Sequence, residues 1–251
     1  MMKKLKISKI LVSQPNPGNT LSPFAEVTAK TGVSIDYIPF FKIAPVDIKE
    51  FRAQKINPLD YTAIFFSAKS SIDAFFAICE EMKISVPETM KYFCTNENIA
   101  LYLQKHIVYR KRKIFFGKGS IDTVIDIIGP KHKQEKFLIA STDAPKPEVS
   151  KAFTKAGLKF SEAIFSKTVY NDLSEVKISD YQMLVFYSPS DIKSLVSNFP
   201  DFEQKNLLFV TYGPSTAKSV TDAGFSLEIS APTPEAPSVA KAILMYLEKN
   251  K

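Results

Sequence analysis

The chain reads as an α/β protein of two similar lobes with parallel sheets flanked by helices, joined by a two-stranded antiparallel β connector. Three observations lead there. Short runs rich in β-branched and aromatic residues alternate with amphipathic helical stretches from end to end. Glycines close several of those helices ahead of the next strand, as Gly32, Gly157 and Gly224 do in "TAKTGVSIDYI", "KAFTKAGLKF" and "KSVTDAGFSLEI". One strand–turn–helix unit also occurs twice, since "AIFFSAKSSIDAFF" (63–76) resembles "MLVFYSPSDIKSLV" (183–196).

Taken in order, strands are expected at 7–13, 34–38, 63–66, 91–94, 108–110, 137–140, 183–187, 208–211 and 227–229, with helices filling the gaps. Two stretches break the alternation. "YIPFFKIAPVD" (37–47) and "AIFSKTVYNDL" (163–173) lack helical periodicity, carry aromatics and read as extended, the first bracketed by Pro39 and Pro45. Paired as a ladder, they let the chain leave one lobe, build a second and return. The expected lobes are residues 1–38 with 173–251, and residues 46–165, with 39–45 and 166–172 as the connector. Two lobes on two extended tethers enclose a cleft, the default ligand site.

At 251 residues, with 45% apolar and 24% charged, the chain has the composition of a globular protein with a real core. Its apolar runs fall far short of the roughly 20 residues of a membrane span, and "MMKKLKISKI" lacks a signal peptide's apolar segment. A cytoplasmic protein with no membrane partner is expected. Cys79 and Cys94 match no metal spacing, and His106 and His132 lie in separate basic stretches, so no metal site is expected. The formal charge of +7 attracts polyanions. Part of it sits in "KHIVYRKRK" (105–113), which is either a solvated face or a nucleic-acid patch.

Gly117 and Gly119 open like a dinucleotide fingerprint, but Asp122 stands where the third glycine belongs. There is neither a Gly-Lys-Ser/Thr phosphate loop nor a Gly-x-Ser-x-Gly elbow. What remains is a set of helix-opening turns rich in hydroxyls: Ser67-Ala68-Lys69, Ser188-Pro189-Ser190, Tyr212-Gly213-Pro214-Ser215-Thr216, and Ser238 ahead of the last helix. Each admits two readings, an N-cap satisfying its own helix or a set of N–H groups facing an anion. In a doubly wound sheet such turns gather at the carboxyl edge, where ligands bind. A weaker repeat lays "YFCTNENIALYL" on "FVTYGPSTAKSV" and puts Asn96, beside Thr95, at the place of Gly213; Asn is the usual substitute where φ must be positive.

"VFYSPSDIKSL", "YGPSTAKSVTDAGF", "APTPEAPSVAKAI", "FFSAKSSIDAFF" and the connector "TVYND" together resemble the uroporphyrinogen-III synthase family, in order from about residue 34 to the end. The resemblance implies two α/β lobes on a β ladder and a cofactor-free lyase of tetrapyrrole and haem synthesis, whose partner is the small molecule hydroxymethylbilane. It implies that Tyr170 is the family's cleft tyrosine and a proton donor, and that Thr216, the Thr of Gly-Pro-x-Thr, is the second candidate catalytic residue. Substrate carboxylates would meet the turns at Ser67, Ala68, Lys69, Thr95, Asn96, Ser188, Pro189, Ser190, Tyr212, Gly213, Pro214, Ser215 and Ser238. Gln14 stands where many relatives carry arginine, and Thr95-Asn96 replaces a glycine turn. A monomer that binds no nucleic acid is expected. The alternatives are a two-lobed protein that binds a small polyanion without converting it, and a nucleic-acid binder using Arg110 and Arg112.

Overall fold

The computed structural model describes residues 6–18, 22–145 and 147–250. In chain order the strands and α-helices are β1 (Lys9–Val12), α1 (Ala25–Thr31), β2 (Ser34–Tyr37), β3 (Phe41–Pro45), α2 (Ile48–Ala53), β4 (Ala63–Phe66), α3 (Lys69–Glu81), β5 (Lys91–Cys94), α4 (Glu97–Tyr102), β6 (Ile114–Phe116), α5 (Ile121–Ile128), β7 (Lys136–Thr142), α6 (Pro147–Lys155) and β8 (Lys159–Tyr170). The remainder is β9 (Met183–Phe186), α7 (Pro189–Asn198), β10 (Leu208–Tyr212), α8 (Pro214–Asp222), β11 (Ile229–Ala231) and α9 (Val239–Lys249). The chain divides into two compact units, residues 1–42 with 170–251, and residues 43–169.

The first unit holds a five-stranded sheet in the order β11-β10-β9-β1-β2, with every neighbouring pair parallel. Its central strand β9, Met-Leu-Val-Phe, is apolar throughout because both faces are covered. Met183 and Val185 of β9 face one cluster with Val27 of α1 and Ile243 of α9. Leu184 and Phe186 face another with Ile192 and Leu195 of α7 and Val220 of α8. From β1 the chain moves to β2 on one side and later fills β9 to β11 on the other. The β1/β9 boundary is therefore the point where winding reverses, the place at which open α/β sheets bind ligands beyond their carboxyl ends.

The second unit holds a six-stranded sheet in the order β3-β8-β7-β4-β5-β6. Strands β8, β7, β4, β5 and β6 pair in parallel. Ile64 and Phe66 of β4 pack under α2 to α4, while Ala63 and Phe65 face α5 and α6. Here winding reverses between β4 and β7. The long β8 shifts register opposite Ser141 and Thr142, an irregularity in the ladder.

Three local expectations need correction. Residues 108–110 are not a strand: Val108 is 78% exposed, and the edge strand is β6, whose Ile114 is 4% exposed and buried against β5. Both runs have strand-forming letters, and burial against the sheet decides between them. The last strand lies at β11 rather than 227–229, because its pairing with β10 runs through Ala231. Asn96 has φ −151°, an extended N-cap, whereas Gly213 has φ +83°. The two positions aligned in sequence do not share a conformation. Gly32, Gly157 and Gly224 do lie at positive φ behind their helices.

Candidate functional site

At the carboxyl edge of the first sheet, three hydroxyl-bearing turns adjoin because β9, β10 and β11 are neighbours. Ser188-Pro189-Ser190 opens α7, Gly213-Pro214-Ser215-Thr216 opens α8, and Ser238 is the N-cap of α9. Gln14 follows Ser13 at the end of β1, on the same edge. Tyr187 and Tyr212 pack together beside these turns, their rings tilted by 31° with centroids 5.9 Å apart. Tyr212 is 42% exposed, while burial pushes the Tyr187 hydroxyl up to about 12. Tyr170 ends β8 and is 38% exposed. Thr216 is buried, so it belongs to the interior of its unit.

In the second unit, Ser67-Ala68-Lys69 opens α3 and Thr95-Asn96 opens α4, from the adjacent strands β4 and β5. The Lys69 ammonium lies 5.3 Å from the centroid of the Tyr102 ring, a cation–π contact that anchors it to α4. The Thr95 N–H donates to Phe66 O at 3.1 Å.

Counting donors separates these turns. The first N–H groups of a helix lack intrahelical acceptors, so what they meet decides whether an anion can be held. At α7 nothing is left. Asp191 Oδ2 accepts from Tyr187 N and Ser188 N, each at 2.9 Å, Ser188 Oγ accepts from Ser190 N at 3.2 Å, and Pro189 has no N–H. Together Ser188 and Asp191 form a capping box. At α9 Ser238 Oγ accepts from Lys241 N, and at α4 Asn96 Oδ1 accepts from Ile99 N. Each of these three turns spends a side-chain oxygen on its own helix.

The starts of α3 and α8 have no side-chain cap. Gly213 N–H donates to Ala231 O at 2.7 Å, but Ser215 N and Thr216 N meet no acceptor among the described residues. Ser67 N and Ala68 N are likewise unpaired among the described residues. Of the five expected anion cradles, these two therefore have no side-chain oxygen of their own competing for the helix donors. These are also the two whose opening residues, Ala68 and Gly213, have no side-chain oxygen to turn inward.

The sequence reading missed a buried polar layer under the first edge. Ser13, Asp191 and Thr211 are all nearly inaccessible, and Ser13 Oγ, Asp191 Oδ1 and Thr211 Oγ1 have no well-formed hydrogen bond. Burial raises the Asp191 carboxyl to about 6, opposed by the N–H of Tyr187, the nearby Ser13 hydroxyl and the N–H of Ser188. Ser13 sits close enough to ease the charge without closing a bond of good geometry. The Ser-x-x-Asp spacing at 188–191 is a capping-box signature and was the available signal.

Known proteins bear on this arrangement. No curated protein sequence matches the chain. Among solved structures, it is similar to a uroporphyrinogen-III synthetase from Helicobacter pylori at 14% identity, TM-score 0.59, over 97% of this chain and 100% of that one. It is also similar to a mutant uroporphyrinogen III synthase from Thermus thermophilus at 12% identity, TM-score 0.53, over 96% of this chain and 99% of that one. At such identities these likenesses establish the two-lobed α/β fold. The family model described as uroporphyrinogen-III synthase HemD matches residues 22–241, most of the chain and nearly all of the turns above. By that match the chain belongs to the uroporphyrinogen-III synthase family.

Proposed function

We propose that the protein cyclises hydroxymethylbilane to uroporphyrinogen III, acting as a carbon–oxygen hydro-lyase that needs no cofactor and works as a cytoplasmic monomer. The hydroxymethyl C–O bond breaks and water departs, leaving an electrophilic azafulvene. The last pyrrole attacks through its substituted carbon to give a spiro intermediate. That intermediate reopens and closes with the ring inverted, and the proton lost at closure balances the one taken by the leaving hydroxyl.

Hydroxymethylbilane carries eight carboxylates and tends to close without inversion. The task is to hold one folded pose, and positioning can supply up to roughly 10 kcal/mol of barrier lowering. The observation that supports this reading is the pair of uncapped helix starts, at Ala68 and Gly213, whose free N–H groups suit carboxylates. Ser215 would then act through its main chain, with Tyr212 as a wall. Tyr170 would protonate or polarise the departing hydroxyl. The +7 charge assists encounter with a polyanion.

Incubation with hydroxymethylbilane, oxidation and separation of the uroporphyrin isomers tests the proposal. Isomer III above the non-enzymatic background is expected, and isomer I alone would reject it.

A further inference from the structure

The internal repeat places two turns in the same structural role, and one of them shows what the other lacks. Laying 63–76 on 183–196 puts Ser67 on Tyr187, Ala68 on Ser188 and Ser71 on Asp191. The backbone agrees with that alignment. The N-cap of α3, Ala68, has φ −151° and ψ 156°, and the N-cap of α7, Ser188, has φ −146° and ψ 147°. Both turns follow a fully buried strand with parallel neighbours on each side. Each stands where the winding of its own sheet reverses.

In the first unit this cradle is occupied by a carboxylate, and the carboxylate is the protein's own. Asp191 Oδ2 takes the N–H groups of Tyr187 and Ser188, each at 2.9 Å. In the second unit the equivalent N–H groups, of Ser67 and Ala68, meet nothing among the described residues. Ser71, at the place of Asp191, is 0% exposed, and its Oγ has no partner. A cavity of about 120 Å³ opens there, bordered by Ser67, Ala68, Ser71, Ser141, Thr142 and Glu162. Glu162 Oε2 is occupied by the Ser150 hydroxyl at 2.7 Å. A buried hydroxyl left without a partner costs free energy unless something fills the space.

We infer that the start of α3 is a subsite for a carboxylate supplied from outside the chain, held by Ser67 N, Ala68 N and Ser71 Oγ in the way Asp191 is held in the first unit. Resting on the synthase reading, this assigns one acetate or propionate arm of the bilane to that cavity. Asp at position 71 would close the subsite from within, so the exchange Ser71→Asp is its natural antagonist.

The probe is propionate, titrated into the full-length protein while backbone amide resonances are followed. Ser67 and Ala68 are expected to shift saturably in the wild type, with Tyr187 and Ser188 unmoved. In Ser71→Asp the shift is lost, and Asp191→Ser transfers a response to Tyr187 and Ser188. Where Ser71→Asp does not fold, Ser71→Asn fills the same donors with a neutral oxygen and carries the same expectation. Amides of Ser67 and Ala68 that ignore propionate in the wild type, or that respond equally in the folded position-71 variant, would overturn the inference. With hydroxymethylbilane, Ser71→Asp should raise KM roughly tenfold while isomer III remains the product, the loss of about one charge-assisted contact; an unchanged KM counts against the subsite. A wild type that forms no isomer III rejects the synthase reading, and the propionate titration then decides the subsite alone.

Discussion

The carboxylate of Asp191 accepts the backbone N–H of Tyr187 at 2.9 Å, reaching back across the turn by which β9 enters α7. This contact and its twin to Ser188 bind the strand end to the helix start from beneath, in a layer that water does not reach. The turn is thereby rigid and self-sufficient.

A pH dependence follows from that burial. The Asp191 carboxyl rises from 3.8 to about 6 on folding, chiefly by desolvation. The folded protein thus binds this proton more tightly than the unfolded chain does. Its contribution to stability is fully present below pH 3.8 and is lost as pH rises through about 6. The amount is on the order of 3 kcal/mol. Guanidinium unfolding of the wild type and Asp191→Asn from pH 4 to 7 should show the variant gaining relative stability by about that amount. A difference that is flat across the window would contradict it.

Gly213 and Asn96 should lose stability for different reasons on substitution although they align in sequence. Gly213 sits at φ +83° and ψ 152°, with open space where a Cβ would go. The cost of Gly213→Ala is therefore backbone strain alone, roughly 1–3 kcal/mol. Asn96, at φ −151°, caps Ile99 N, so Asn96→Gly should cost only a few tenths and Asn96→Ala about 1 kcal/mol. Thermal unfolding of the three variants checks the order.

Tyr170→Phe should lower kcat by up to roughly tenfold with KM nearly unchanged, since a phenol is a weak acid and an aromatic ring of the same shape remains. Steady-state kinetics with hydroxymethylbilane measures both. Full activity in this variant would remove the proton-donor role and leave the synthase reading standing.

Cys79 and Cys94 are buried in the second unit, and desolvation pushes both thiols up to about 12. Thiolate is the reactive form, so neither should react with a thiol-specific disulfide reagent in the native protein at pH 8. Both should react after denaturation. Rapid labelling of the native protein would show that β5 or α3 opens readily.

Much of the local architecture was legible in the sequence. Apolar runs such as Ala63–Phe66 and Met183–Phe186 announce strands covered on both faces, and the Gly-Pro and Ser-Pro turns announce where helices begin. These features depend on residues within a few positions of one another, so the chain alone determines them, and the repeat of 63–76 at 183–196 together with the family resemblance pointed to two lobes of one kind. The tertiary structure decided the rest. It chose Ile114–Phe116 over the equally strand-like 108–110, because only one of them finds a buried place beside β5. It drew Thr216 into the interior. It also turned the Ser188 and Ser238 hydroxyls onto their own helices while leaving the starts at Ala68 and Gly213 without a side-chain cap. Whether a serine caps, binds or stands alone depends on which atoms distant strands bring beside it, and such distances exist only once the sheets have closed.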